Sequence, residues 1–328
     1  SWIESLNANI GITDYQHKEL ENFENGATEV GTLFKNRGAE SRFTLNHAPI
    51  GDWAGVWGLQ LSNTDFSAIG EEAFVPKSEI EAQGLFGVER FTRGNLTGEL
   101  GLRLERNRID AGGVCDFNET SNSFSGSLLY DVTTQSNLLF SVARSQRAPS
   151  VEELYSNVAT TDCMRFADNE QLVLHAATNL LEVGNPSLDK ETSQNIEFGF
   201  RRHAGIVTGE FSTYYNEIDD YIFLDLTGEE VHGQAIASYL SRDVIFKGAE
   251  AEVSFELFES SSSSAVLSVF GDVVNAEFKS GGNVPRIPPA KVGAELRYFG
   301  NNWSMHLHAT RVTRQDDVGV LELETDSY

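Results

Sequence analysis

The chain has 328 residues, with 24 Lys and Arg against 49 Asp and Glu, a formal net charge of −25 at pH 7. That balance excludes a nucleic-acid binder, whose phosphate contacts need clustered Lys and Arg, and 40% hydrophobic with 10% aromatic content excludes a disordered acidic chain. No run of about 18 apolar residues is present, so a transmembrane helix is excluded, whereas strands that cross a membrane signal themselves by alternation instead.

Alternation with a period of two predicts strands from one end of the chain to the other. In chain order they cover about 2–15, 36–48, 53–66, 78–91, 95–110, 122–133, 137–147, 190–203, 206–222, 235–258, 264–279, 289–299 and 303–315, about thirteen in all. Leu96, Gly98, Leu100, Leu102 and Leu104 alternate with Thr97, Glu99, Gly101, Arg103 and Glu105. Ala249, Ala251, Val253, Phe255 and Leu257 alternate with Glu250, Glu252, Ser254 and Glu256. Several spans exceed the five or six residues usual for soluble strands and suit tilted strands that cross about 9–11 residues of lipid. The N-terminal Ser1-Trp2-Ile3-Glu4 has no basic or apolar leader and reads as a mature or internal start.

Connections alternate between short and long. Short ones fall near 49–52, 92–94, 134–136, 204–205, 259–263 and 300–302, and long ones near 16–35, 67–77, 111–121, 148–189, 223–234 and 280–288. In an up-and-down barrel every second connection lies on the same rim, and outer-membrane barrels keep short turns on the periplasmic side with long loops outside. The expected fold is therefore all-β, an antiparallel up-and-down transmembrane β-barrel. Its charged rows (Glu99, Arg103, Glu105, Glu197, Arg201, Glu250, Glu252, Glu256, Glu295, Arg297) line a wet lumen and its apolar rows meet lipid.

No nucleophile elbow, Walker loop, dinucleotide fingerprint or HExxH helix occurs, and no Ser, His and Asp share a triad spacing, so no enzyme is expected. The 148–189 connection is long enough to be functional. It carries Asp162, Cys163, Met164, Asp168, Glu170 and His175, and the preceding long connection carries Asp110, Cys115, Asp116 and Glu119. Cys115 and Cys163, on one oxidising surface, invite a disulfide; the alternatives are free thiols acting as soft metal ligands and unpaired thiols with no role. His175 with the carboxylates of Asp162, Asp168, Glu170 and Asp116 has the donor chemistry zinc prefers, though a lone loop histidine also serves as a solvated side chain. His306 and His308 share the lumen face two residues apart, as ligands on a path or as ordinary polar wall residues. His17 and His232 lie in acidic stretches that attract cations without specifying a site, and His47 and His203 sit near the opposite rim.

Residues Ser141 to Tyr155, with Arg144-Ser145-Gln146-Arg147-Ala148-Pro149 at the centre, resemble the mid-barrel box of TonB-dependent outer-membrane receptors. Glu182-Val183-Gly184-Asn185-Pro186-Ser187-Leu188-Asp189-Lys190-Glu191 resembles that family's Asn-Pro-x-Leu-x-x-Glu box, and Phe211 to Tyr221 the strand after it. The run His175 to Asn185, together with Asp14-Tyr15-Gln16-His17-Lys18-Glu19, Gly70-Glu71-Glu72-Ala73-Phe74-Val75-Pro76 and Val284-Pro285-Arg286-Ile287-Pro288-Pro289, is most similar to the zinc-uptake branch.

The resemblance implies a 22-stranded barrel around an N-terminal plug, in the outer membrane of a Gram-negative bacterium, energised by the TonB complex. Residues 1–328 then form one barrel domain, a fragment truncated at both ends and lacking the plug. In the zinc branch the long-loop histidine, here His175, is an expected ligand contact. No tightly bound cofactor is implied; zinc is cargo, and the partners are membrane lipid, TonB through the missing plug, and a metal or metal chelate. Haem, iron–siderophore or cobalamin as cargo is the alternative within the family. Outside it stand a passive porin-like barrel and a surface-binding role as adhesin or phage receptor.

Overall fold

Where polar and apolar residues alternate, a pleated strand sends them to opposite faces, and a sheet in which every strand does so has one dry and one wet face. The computed structural model of the chain describes residues 2–22, 26, 28–159, 161–163, 171–320 and 322–328. It contains β1 (Ile3–Asn22), β2 (Thr28–His47), β3 (Trp53–Gly70), β4 (Ser78–Arg93), β5 (Leu96–Ala111), β6 (Cys115–Thr133) and β7 (Ser136–Arg147). A single-turn helix α1 (Val151–Tyr155) and a short strand β8 (Leu181–Val183) follow. The remainder is β9 (Glu191–Arg202), β10 (Val207–Val231), β11 (Gln234–Glu259), β12 (Ser263–Phe278), β13 (Lys291–Gly300) and β14 (Ser304–Val312). All strands belong to one 14-stranded sheet whose path follows sequence order, with β1 and β14 at its two ends. Neighbours on the path are antiparallel, for example β5 with β6 (Leu102↔Phe124) and β13 with β14 (Glu295↔His308). β8 lies off this path and pairs in parallel with β11. The architecture is thus the wall of an antiparallel up-and-down barrel, open between β1 and β14.

The apolar face is the outer one. Leu100, Leu102 and Leu104 are 53%, 62% and 56% exposed, and Phe124, Phe140, Ile196 and Phe198 stand beside them in register, also exposed. A water-soluble barrel would bury these rows; a membrane barrel turns them to lipid. Trp2, Trp53, Trp57, Tyr130 and Trp303 gather near the short-turn rim, the aromatic girdle of a membrane–water interface. Glu89 is a charge within the apolar pattern: in register with Leu100, it stands on the lipid side. It sits within the girdle, accepting from Trp57 Nε1 at 2.9 Å and lying 3.1 Å from His47 Nε2. Near the interface the cost of a lipid-facing charge falls to about 0–1 kcal/mol, so the pair is tolerated there.

At the opposite rim the structure corrects the expected loops. The stretches 16–35, 111–121 and 223–234 are mostly strand. His17 pairs with Phe34 across β1 and β2, Cys115 pairs with Ala111 across β5 and β6, and Val231 pairs with Gln234 across β10 and β11. Alternation fades there because the lipid that demands one continuous apolar face is left behind, while the ladder of hydrogen bonds continues. Connections outside the long strands remain at 71–77, in the described parts of 148–190, and at 279–290, and these pack back onto the sheet.

Candidate functional site

Pleat parity identifies the face on which the 148–190 connection packs. On β5, Ile109 and Ala111 share odd parity with Glu99, Arg103 and Glu105, the lumen row. Ile109 and Ala111 are buried with Cys115, α1 (Val151, Leu154, Tyr155), Val158, Leu188, Ile222 and the Phe74–Val75 pair of the 71–77 connection. The connection therefore caps the lumen at the rim away from the aromatic girdle and ties the β3–β6 side of the wall to β10–β11.

Its folding is local chemistry in part. Ser150 caps α1 by accepting from Glu153 N at 3.2 Å, while Glu153 Oε2 accepts from Ser150 N at 2.7 Å, a capping box. Arg147 reaches Glu153 through Nη1 at 2.9 Å and Glu191 through Nε at 2.6 Å, joining the two ends of the connection. Asn185 accepts from Ser187 N at 3.0 Å and donates to Tyr239 O at 3.2 Å, which fastens the Asn-Pro turn to β11. Cys115 and Cys163 are joined by a disulfide, Cα–Cα 5.5 Å, anchoring the connection to β6.

Asn157 is the central polar fastener. It is buried, has a positive φ of 52°, and donates through Nδ2 to Val173 O at 2.9 Å and Glu182 O at 2.8 Å, while Oδ1 accepts from Val173 N at 2.9 Å. Asn157→Ala is expected to leave these backbone groups unpaired and to destabilise the connection by about 2 kcal/mol. Amide hydrogen exchange of Val173 and its neighbours should quicken accordingly, with barrel-strand amides unchanged.

His175 sits inside this cap. Its Nδ1 lies 2.9 Å from Glu182 Oε1, and its ring packs on Phe74 at 4.6 Å between centroids. Its backbone closes a turn, donating to Leu180 O at 2.9 Å and accepting from Asn179 N at 2.8 Å. Glu182 is on β8, 3% exposed, in register with Ala237 of β11. Its carboxylate also accepts from Thr178 Oγ1 at 2.6 Å and Tyr239 OH at 3.4 Å. Burial, then the charge of Glu182, hold the Tyr239 phenol well above its usual range, so it remains a donor. Partial desolvation, then Glu182, raise Glu152 above the usual carboxylate range. The arrangement is an imidazole oriented by a buried carboxylate through one nitrogen, with Nε2 as its remaining ligand atom. Carboxylate–histidine pairs of this kind orient metal ligands.

Among the described residues, no other metal-binding side chains converge with His175 in a group of three ligand atoms. Asp116 neighbours Cys115 on β6 and so points to the opposite face, where it lies 3.4 Å from Arg108 Nε. Asp162 is exposed beside the disulfide and donates its backbone N–H to Ala159 O at 3.1 Å. Met164, Asp168 and Glu170 lie outside the described residues. His17 stacks on Phe34 at 4.8 Å, and His232 occupies the β10–β11 turn at φ 53°. Among the described residues, the group of three or more His, Cys, Asp or Glu side chains whose ligand atoms converge is Glu295, His306 and His308. It lies on the lumen face of β13 and β14, toward the short-turn rim.

A family model for the TonB dependent receptor-like β-barrel matches residues 1–328. The chain belongs to the TonB-dependent receptor β-barrel family. Its fold is similar to that of the copper transporter OprC (TM-score 0.78, 15% identity), covering 98% of this chain and 52% of that one. It is also similar to the FrpB iron transporter from Neisseria meningitidis, F5-1 variant (0.70, 12%, 100% and 53%). A third similar structure is a double mutant of the Serratia marcescens hemophore receptor HasR in complex with its hemophore HasA and heme (0.64, 14%, 96% and 58%). The receptor barrel described here thus spans about half the length of these structures.

Within the receptor barrel, sequence reasoning singled out His175 and missed Glu182. The signal was present: Glu182 stands between Leu181 and Val183 in a short apolar run, where a carboxylate is retained only if it is paired.

Proposed function

We propose that this receptor barrel serves energy-coupled uptake of a divalent metal, zinc or a zinc chelate, across the outer membrane of a Gram-negative bacterium. TonB would act through a plug domain. The observation that carries the reading is His175, oriented by the buried Glu182 within the outer cap. The acidic surface and the carboxylates of the same connection, Asp162, Asp168 and Glu170, would concentrate the cation at the entrance. Imidazole and carboxylate donors favour zinc over monovalent copper, which takes soft sulfur ligands. Both cysteines of the chain are committed to the disulfide.

The test is zinc accumulation by cells expressing the receptor, with and without TonB, and with His175→Ala. Accumulation should require TonB and fall at least tenfold in the variant at limiting zinc, while surface expression is unchanged. TonB-independent accumulation, or a variant equal to wild type, refutes the reading. Accumulation of iron–siderophore or haem under the same conditions, without zinc, moves the cargo to the chelates.

A further inference from the structure

We infer that Glu295, His306 and His308 form a second divalent-cation site, on the lumenal wall near the short-turn rim. It is separate from His175 in strand, rim and ligand set.

Its geometry follows from two registers. His306 and His308 are two apart on β14, so both side chains point to the lumen. Antiparallel pairing sets His308 opposite Glu295 and His306 opposite Arg297. Glu295 Oε2 lies 3.0 Å from His306 Nε2 and 3.6 Å from His308 Nδ1, and the three ligand atoms lie within 4.8 Å of one another. Two imidazoles and a carboxylate are a three-ligand set that zinc and similar transition cations accept, with a fourth position open to water or to a departing ligand. That openness suits a site that takes an ion and passes it on.

Surrounding groups hold the ligands in place. His308 Nε2 lies 2.7 Å from Thr310 Oγ1, and Phe270 stacks on the His308 ring at 5.4 Å and 26°. Arg297 Nε donates to the other oxygen of Glu295, Oε1, at 2.8 Å, and so orients Oε2 toward the histidines. The position also fits the wall around it. On β9 to β12 the wall carries Glu197, Glu210, Glu250, Glu252 and Asp272, which line a lumenal cavity of about 590 Å³ together with Arg201 and Lys291, so carboxylates outnumber cationic side chains there.

The test uses the whole detergent-solubilised receptor that carries this chain, titrated calorimetrically with zinc chloride and spectroscopically with cobalt(II). His306→Ala with His308→Ala is expected to lose one equivalent of bound zinc and the visible cobalt band of a nitrogen- and oxygen-ligated site. The exposed lumenal position of both histidines leaves the fold intact, checked by the strand circular-dichroism signal. Glu295→Gln, which keeps shape and removes charge, is expected to weaken that equivalent at least tenfold. His175→Ala should leave it untouched, so failure of the outer site and failure of this one are read separately. Unchanged zinc stoichiometry and cobalt spectrum in the double histidine variant overturn the assignment.

Discussion

Reduction of the Cys115–Cys163 disulfide is expected to release the 148–190 connection from the barrel wall. The bond closes a sequence separation of 48 residues. By the chain-entropy relation, a loop of that length is stabilised by about 4 kcal/mol. The bond acts beside the cap's apolar cluster, in which Cys115 is itself buried. Cys163 itself packs at its margin, so the bond also seals that edge. The expected readout is limited proteolysis: resistance of the connection under oxidising conditions, and cleavage within it after reduction or in Cys115→Ser with Cys163→Ser. The spanning strands should remain protected in both cases, since their ladders do not pass through the bond. A connection that stays intact to protease after full reduction would show that packing alone suffices.

Gly184→Ala is expected to destabilise the same region by about 3 kcal/mol, at the upper end of the usual cost of overpacking. A Cβ built at Gly184 meets Leu154 C and Tyr155 N at 2.5 Å each, and both are backbone atoms that no side-chain rotation can move. The approach is close because Gly184 N donates to Ser156 O at 2.6 Å, and Asn185 N to Glu153 O at 2.8 Å, lacing the strand end to α1. Separating them would also shift β8, which carries Glu182, and loosen the carboxylate that orients His175. Zinc affinity at the outer site should therefore fall with the stability of the cap, while the Glu295 site keeps its affinity. Hydrogen exchange at Gly184 and Asn185, compared with the β5–β6 ladder, checks the structural half. An alanine variant with wild-type exchange at those amides would show that α1 yields without cost.

Much of the wall was legible in advance. The thirteen long strands fall within a few residues of their predicted positions over the membrane-crossing part, because lipid on one side and lumen on the other impose alternation residue by residue. The upper hairpins were less legible. Gln16 to Leu20 and Asp116 to Ser121 are paired strand where loops were expected, and along Gln16 to Leu20 water reaches both faces, so no alternation is required. Asp116 shows the consequence for the site: in a loop it was free to join His175, whereas in a strand its neighbour Cys115 takes the lumen side and Asp116 takes the other.

What the sequence by itself determined is the pleat: which residues face lipid, which face the lumen, how many strands cross, and that His306 and His308 share a face. Those follow from local periodicity and need no knowledge of partners. Only the tertiary structure decided which lumenal groups meet. Glu182, which a local turn sets beside His175, meets Tyr239 because β8 pairs with the projecting end of β11, and Glu295 reaches His306 and His308 because one antiparallel register, out of several that alternation permits, joins β13 to β14. Register is set by the tight turn in the β13–β14 hairpin and by hydrogen bonds between distant segments where β8 meets β11, and a two-residue slip would keep every side chain on its face while moving every ligand away from its partner.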